Sequence, residues 1–480
     1  MDGQGFLLVC VAVPLLGSFI LPLVGRVSVR LRNILALLFV LTSFVAAMRL
    51  LPQAFSGSNP VMVKLVLPAG FTLGFMGDNL AVFMALVSSF VGALIVFYSF
   101  GYIEHYENQN EYYMMVVLFL GAMMGLVFST NLVLLYLFWE ISAICCWRLI
   151  GFFREKHIVL RADKAFLVTV GGAVLMLLGF ISIYAQTGTF DLTAMKGADI
   201  SNLAVILILF GILSKSATLP FHTWLPDAGV APSPVTSLLH AAVLVKIGVY
   251  VFARLFLVNF NLADVWHLAV PIIAGVSALV AAGAALVEND LKRIIAYSTV
   301  SQLGFIFLGL SCGSPIGIAG GLLYILMHGL AKGGLFLCAG IVEHATHIKD
   351  IRKLGGLFSA MPVTAIAFLF CGFSVMGLPP FGGFFAKFMV IGGAVDAGQP
   401  WIALTFALGA ILTIIYLMRL FIKVFLGPVS FPNAKEGSWE MVFSVGILGL
   451  LSLLAGIFIN IPADLVDSIV SVLTGITIGG

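Results

Sequence analysis

Apolar residues run along this chain in long blocks, separated by short clusters of Arg, Lys, Asp, Gly and Pro. A bilayer core about 30 Å thick takes roughly 20 helical residues per crossing. Scanned with a window of about 19 residues, the blocks predict spans near 5–25, 33–51, 79–100, 113–130, 131–151, 165–187 and 203–224. Seven more are predicted near 232–257, 268–287, 293–311, 317–341, 363–390, 401–425 and 440–460. The expected fold is therefore an all-α polytopic membrane protein of about fourteen transmembrane helices. The stretch from Val61 to Phe75 is too short and too broken by Pro and Gly to cross, so a small hairpin on the outer face is expected there.

Composition agrees with this pattern. Of 480 residues, 61% are hydrophobic and only 9% charged, against roughly 25% charged in soluble domains. A net charge of +3 is too balanced to suggest nucleic acid. The six cysteines form no C-x-x-C pair and no Cys/His group with metal spacing, so no cofactor or metal is expected in this chain. The start, Met1-Asp2-Gly3, lacks the basic segment of a cleaved signal peptide, and residues 5–25 are expected to stay as a first span.

Basic residues set the orientation. With the N-terminus outside, inward loops collect sixteen: Arg26, Arg30, Arg32, Arg148, Arg154, Lys156, Arg161, Lys164, Lys292, Arg293, Lys349, Arg352, Lys353, Arg419, Lys423 and Lys435. The outward side receives four, Arg49, Lys64, Lys196 and Arg254. Both termini are expected outside an energy-coupling membrane, the cytoplasmic membrane of a prokaryote.

Four lysines remain for the membrane itself: Lys215, Lys246, Lys332 and Lys387. Glu140 alone among the carboxylates lies deep in an apolar run, and His240 and His328 are also intramembrane. An ionised side chain at mid-bilayer costs at least about 2.5 to 3.5 kcal/mol on insertion scales. Burial favours the neutral amine and a nearby carboxylate favours the ammonium, so groups held between these influences can take up and release protons. Snorkelling or gluing helices explains any one of these lysines about as well, but not all four together. His328 and Lys332 are four apart and share a helix face. His240 and Lys246 are six apart, about 9 Å along a helix axis.

Two spans are broken by proline in the same way, at Leu219-Pro220-Phe221 and at Leu378-Pro379-Pro380-Phe381, with Lys215 and Lys387 close by. The broken spans are the seventh and the twelfth, an odd five places apart in the series, so they run in opposite directions. That predicts two inverted five-helix repeats, spans 4–8 and 9–13, with the transport path near the midplane. The expected divisions are a three-span region with the hairpin at 1–112, half-channels at 113–258 and 264–427, and a last span with a short outer tail at 428–480.

Three stretches carry a family resemblance: Phe138-Trp139-Glu140, Lys215-Ser216-Ala217 running on to Leu219-Pro220-Phe221-His222-Thr223-Trp224-Leu225-Pro226-Asp227-Ala228, and His240 to Lys246. With Asp290-Leu291-Lys292-Arg293 through Ser301-Gln302-Leu303-Gly304, they resemble the antiporter-like membrane subunits of respiratory complex I. Relatives of those subunits occur in Mrp-type cation/proton antiporters and in membrane-bound energy-converting hydrogenases. The resemblance covers roughly residues 79–427. It implies a charged pair of Glu140 with Lys215, a central relay at Lys246, a link at His328 and Lys332, and a terminal exchange at Lys387. Gly333 and Gly334 depart from the bulkier residues usual after the family's lysine there.

The resemblance also implies a proton-translocating subunit of a multisubunit, redox-driven complex, with no redox or catalytic site of its own. Expected partners are other membrane subunits, including antiporter-like or small hydrophobic ones, and peripheral iron–sulfur subunits. The alternative is a subunit of a stand-alone Mrp-type Na+/H+ antiporter. The chain ends about twenty residues after its last predicted span, so the long lateral helix of the distal complex I subunit is not expected.

Overall fold

The structure, a computed structural model, describes residues 2–56, 59–66 and 72–476. The chain opens with helices α1 (Gly3–Gly17), α2 (Leu21–Val27) and α3 (Val29–Phe55). A β-hairpin of β1 (Val61–Val66) and β2 (Thr72–Gly77) follows, antiparallel with Val63 opposite Phe75. It stands where the short broken stretch predicted one, and residues 67–71 lie outside the described residues. Next come α4 (Asn79–Tyr102), α5 (Gln109–Phe128), α6 (Leu132–Ile150), α7 (Lys156–Thr187) and α8 (Asn202–Lys215). After α8 the chain makes short pieces, α9 (Trp224–Asp227) and α10 (Ser233–Ser237), then α11 (Leu244–Ala253). The series closes with α12 (Trp266–Val287), α13 (Leu291–Ser311), α14 (Pro315–Thr346), α15 (Pro362–Met376), α16 (Gly382–Asp396), α17 (Pro400–Phe425), α18 (Trp439–Ile457) and α19 (Asn460–Thr474).

Among the described residues, twelve helical stretches are long and apolar enough to cross a membrane, one of them running from Ser233 to Asn259 through α10 and α11. They coincide with twelve of the predicted spans. The other two, the seventh and twelfth, are the proline-broken ones, where α8 and α15 end short. The outer helix faces fit a lipid surrounding. On α7 the exposed residues include Leu160, Leu167, Val174, Leu178 and Ile181, which recur on one helical face. A water-facing helix would carry polar side chains there.

The chain divides into two compact units. The first comprises 1–96, 106–216 and 243–263. In it, α7 and α8 meet through small residues. A Cβ at Gly172 would stand 2.8 Å from the Phe210 carbonyl, and one at Gly179 would stand 3.2 Å from that of Ala204. Such close backbone approach is how membrane helices associate without a hydrophobic driving force between them.

The second unit comprises 97–105, 217–242 and 264–480. Its centre is α14, almost wholly buried along 32 residues. Here α14 and α16 touch backbone to backbone. A Cβ at Gly320 would lie 2.6 Å from Val390 N, and one at Gly393 only 2.3 Å from Gly317 Cα. That closeness brings Lys387 on α16 against the aromatic residues of α13 and α14.

Candidate functional site

In the first unit, α8 ends because its continuation cannot stay helical. Ala217 takes a left-handed backbone (φ 47°) and Pro220 lacks an N–H, so the chain leaves the helix at Ser216. Lys215 is thereby placed on the last helical turn, fully buried. Its Nζ donates to the Trp139 carbonyl at 3.1 Å and lies 5.1 Å from the centre of the Trp139 ring. Glu140, the next residue on α6, interacts with Lys215 through its charge and with Tyr136 one turn earlier. Its Oε1 has no hydrogen-bond partner among the described residues. The anticipated Glu140 and Lys215 pair is thus a pair of neighbours, with a neutral carbonyl taking the ammonium's hydrogen bond.

The freed end of α8 packs on the helix that carries Lys246. Ser216 Oγ donates to the Val245 carbonyl at 3.1 Å, and Gly248 leaves room for that hydroxyl. Lys246 is fully buried in the first turn of α11. Just before it, Leu238–Ala242 form a π-helical turn that holds His240. Such wide turns recur at functional positions. The apolar pattern over 232–257 carries no sign of this turn, since one extra residue in a helix costs no apolar position.

In the second unit His240 is fully buried with its ring 4.3 Å from that of Phe336. Neither ring nitrogen has a hydrogen-bond partner among the described residues, and Lys332 lies close enough for its charge to act on the imidazole. Lys332 donates to the Ile295 carbonyl at 3.1 Å and to the Ser298 hydroxyl. His328, one turn before Lys332, meets Tyr324 edge to face at 6.0 Å. The second break leaves the helix at Gly377 (φ 79°) and re-enters it at Gly382, so Lys387 falls in the second turn of α16. Lys387 donates to the Val375 carbonyl, itself on the last turn of α15, at 2.7 Å. Its ammonium stands 4.5 Å from the Phe305 ring centre and 5.8 Å from that of Tyr324. Pro379 and Pro380 form the break, as Pro220 does in the other broken span.

Lys215, Lys332 and Lys387 therefore share one chemistry. Each is buried, sits near a helix break or midpoint, and is held by carbonyls, a hydroxyl or ring faces. Backbone freed from helical bonding is tolerable at membrane depth only where such groups or water engage it.

Two ionic clusters escaped the sequence reading. In the first unit Arg254, only 2% exposed, makes a double hydrogen bond to Asp78, one arm at 2.7 Å, and donates to Tyr250 at 2.9 Å. Burial pushes the Asp78 carboxyl up, but the Arg254 charge, its hydrogen bond and that of the Ala81 N–H outweigh this and hold it below its usual range. In the second unit Lys292, which the charge pattern places in an inward loop, is buried and pairs with Glu343 at 2.6 Å while donating to the Ala231 carbonyl at 3.0 Å. Lys349 reaches the other Glu343 oxygen at 2.9 Å. Both clusters join residues at span ends far apart in sequence, which hydropathy cannot pair. Among the described residues, no group of three or more His, Cys, Asp or Glu is placed to hold a metal ion.

With this geometry established, the chain can be set beside known proteins. The family profile described as "NADH:quinone oxidoreductase/Mrp antiporter, TM" matches residues 129–413, and "NADH-Ubiquinone oxidoreductase (complex I), chain 5 N-terminus" matches 67–113. The chain is 36% identical to a Na(+)/H(+) antiporter subunit of Alkalihalophilus pseudofirmus over 80% of its own length and 52% of the relative's. It is 32% identical to a Na(+)/H(+) antiporter subunit of Staphylococcus aureus over 96% of its length and 62% of the relative's. The chain thus spans between half and two thirds of these relatives. In fold it resembles a chain of the Mrp complex from Dietzia, with a TM-score of 0.91 at 24% identity over 98% of both chains. A chain of an archaeal membrane-bound sulfane sulfur reductase has a TM-score of 0.89 at 24% identity, over 98% of this chain and 97% of that one.

Proposed function

The chain belongs to the NADH:quinone oxidoreductase/Mrp antiporter family of membrane proteins, and from that premise we propose that it is a proton-translocating, antiporter-like subunit of a multisubunit complex. One observation carries the proposal: lysines buried inside membrane helices are held by neutral acceptors where a structural ion pair would use a carboxylate. Lys215 with Glu140 and then Lys246 form the relay of the first unit. His240, His328, Lys332 and Lys387 form that of the second.

The energetics are of the right size. Moving one charge against 100 mV takes about 2.3 kcal/mol. A hydrogen bond to a charged group is worth about 1.5 to 3 kcal/mol. Drawing Lys215 from the Trp139 carbonyl toward Glu140, or letting it go, therefore changes proton retention enough to drive one step. Lys387, at the second helix break, exchanges protons with the outer side, both termini facing outward.

The complex is of the Mrp-type cation/proton antiporter kind, in a prokaryotic cytoplasmic membrane and with other antiporter-like and small hydrophobic subunits as partners. The names of the two relatives, both Na(+)/H(+) antiporter subunits, favour this setting over a redox-driven complex with peripheral iron–sulfur subunits. No cofactor is assigned to this chain. The test is to purify the intact complex from its own membrane in mild detergent, identify its subunits, and measure proton exchange on adding sodium to proteoliposomes. Small hydrophobic partners with sodium-dependent proton exchange support the proposal. Co-purifying iron–sulfur subunits would move the chain to the redox setting, and absence of any proton movement would overturn it.

A further inference from the structure

Between Lys332 and Lys387 the second unit contains a row of buried polar side chains that the family motifs leave without a role. It starts at Ser298 on α13, whose hydroxyl accepts from Lys332 and donates to the Ile295 carbonyl at 2.8 Å. Ser298 interacts in turn with the Tyr416 hydroxyl on α17. Gln302, one turn after Ser298, donates through Nε2 to Tyr416 at 3.3 Å and to Thr413 Oγ1 at 3.1 Å. Its Oε1 accepts from the Tyr324 hydroxyl on α14 at 2.6 Å. The Tyr324 ring then lies beside the Lys387 ammonium and edge-on to His328. All of Ser298, Gln302, Tyr324, Thr413 and Tyr416 are fully buried.

Polar side chains buried among membrane helices serve as glue when they tie two helices together. This string does more, since it begins on the acceptor of one buried lysine and ends under the ring that faces another. An amide does not readily carry a proton, so its part in such a string differs from that of the hydroxyls. It has one donating and one accepting end, while every hydroxyl beside it can do either. Whichever end Gln302 turns toward Tyr324 fixes the direction in which Tyr324 and Tyr416 point their hydrogens. Turning the amide over would present its oxygen to Tyr416 and Thr413, whose hydrogens otherwise go to Thr413 and to the Gly409 carbonyl, and would so redirect both; hydrogen bonds in such chains polarise one another.

We propose that the string Ser298, Tyr416, Gln302 and Tyr324 couples Lys332 to Lys387, with Gln302 as the positioning residue whose amide sets the direction of the string. This rests on the reading of the second unit as a proton half-channel. It adds that the two lysines do not change protonation state independently, because the same amide holds both Tyr416, beside the hydroxyl that Lys332 engages, and Tyr324, whose ring faces Lys387.

The test uses the whole complex in everted vesicles, measuring cation-driven proton exchange against cation concentration. Gln302→Leu removes three hydrogen bonds, while Tyr416→Phe and Tyr324→Phe each remove one hydroxyl. Lys332→Met and Lys387→Met report on the underlying reading. The expected result is a loss of exchange in both lysine variants and a maximal rate lowered about tenfold in Gln302→Leu, with the half-saturating cation concentration unchanged. Each Phe variant is expected to fall at least about threefold in the same way. If Gln302→Leu does not assemble, the two Phe variants decide. Parent rates in the assembled Gln302 and Tyr variants, with both lysine variants inactive, would overturn the inference and leave the reading of the unit standing. Parent rates in the lysine variants would overturn that reading itself.

Discussion

Two adjacent glycines on α16 offer a sharp check on how Lys387 is held. A Cβ at Gly393 would meet Gly317 Cα at 2.3 Å and Gly317 N at 2.5 Å, whereas one at Gly392 would meet nothing within 4 Å. Both substitutions add one methyl group to the same helix. At Gly393 the methyl falls about 1.1 Å short of the 3.4 Å at which ordinary contact begins, and its neighbours are backbone atoms that cannot rotate away. The helices must separate by that order, which costs about 1 to 3 kcal/mol as overpacking. The shift carries Lys387 away from Phe305 and Tyr324, and a misplacement of about 1 Å can cost about a hundredfold in rate. At Gly392 the same methyl is free, and alanine's helix preference gains up to about 1 kcal/mol. Proton exchange and thermal unfolding in detergent should therefore be compared for Gly393→Ala and Gly392→Ala. A strong loss of exchange with lowered stability is expected in the first, and parent behaviour or slight stabilisation in the second. Equal effects of the two substitutions would refute the packing argument.

Further outcomes follow from the ionic clusters and the buried thiols. Asp78→Asn leaves Arg254 buried with one charged partner fewer and should cost about 3 kcal/mol, the low end for a broken buried pair because Asp78 is 22% exposed. Since Arg254 holds the Asp78 carboxyl below its ordinary value of 3.8 despite burial, this stabilisation is present above that value and is lost as acid protonates the group. Unfolding midpoints of parent and variant should accordingly converge as pH falls below about 4. All six cysteines, Cys10, Cys145, Cys146, Cys312, Cys338 and Cys371, are buried, so a maleimide should leave the native complex unlabelled and react only after denaturation in SDS. Labelling of native protein would show that one of these helices is misplaced.

The spans were legible because a bilayer imposes a long uninterrupted apolar run on every crossing helix, and prolines flanked by lysine marked the two breaks. The positions of Lys215 and Lys387 at those breaks could be read for the same reason: a helix that stops at proline exposes its next polar side chain to whatever lies beside it. What could not be read is which groups receive the lysines. The Trp139 and Val375 carbonyls leave no mark on composition, since every residue has a carbonyl. The π-helical turn at His240 and the joining of Asp78 to Arg254 across 176 residues depend on tertiary packing. Gln302 lies within one of the family-like motifs, yet only the approach of α14 and α17 gives its amide three partners.

The central claim is that buried lysines in this chain pass protons, and Lys246 tests it most directly. Lys246 is fully buried in the membrane helix that runs on from His240, and methionine keeps its length and flexibility without a titratable group. Proton movement should be measured in proteoliposomes holding the intact complex with Lys246→Met, beside Lys423→Met at an exposed helix end. The predicted result is an assembled complex whose proton exchange falls to background in Lys246→Met and stays at the parent rate in Lys423→Met. An assembled Lys246→Met complex that exchanges protons at the parent rate would contradict the claim.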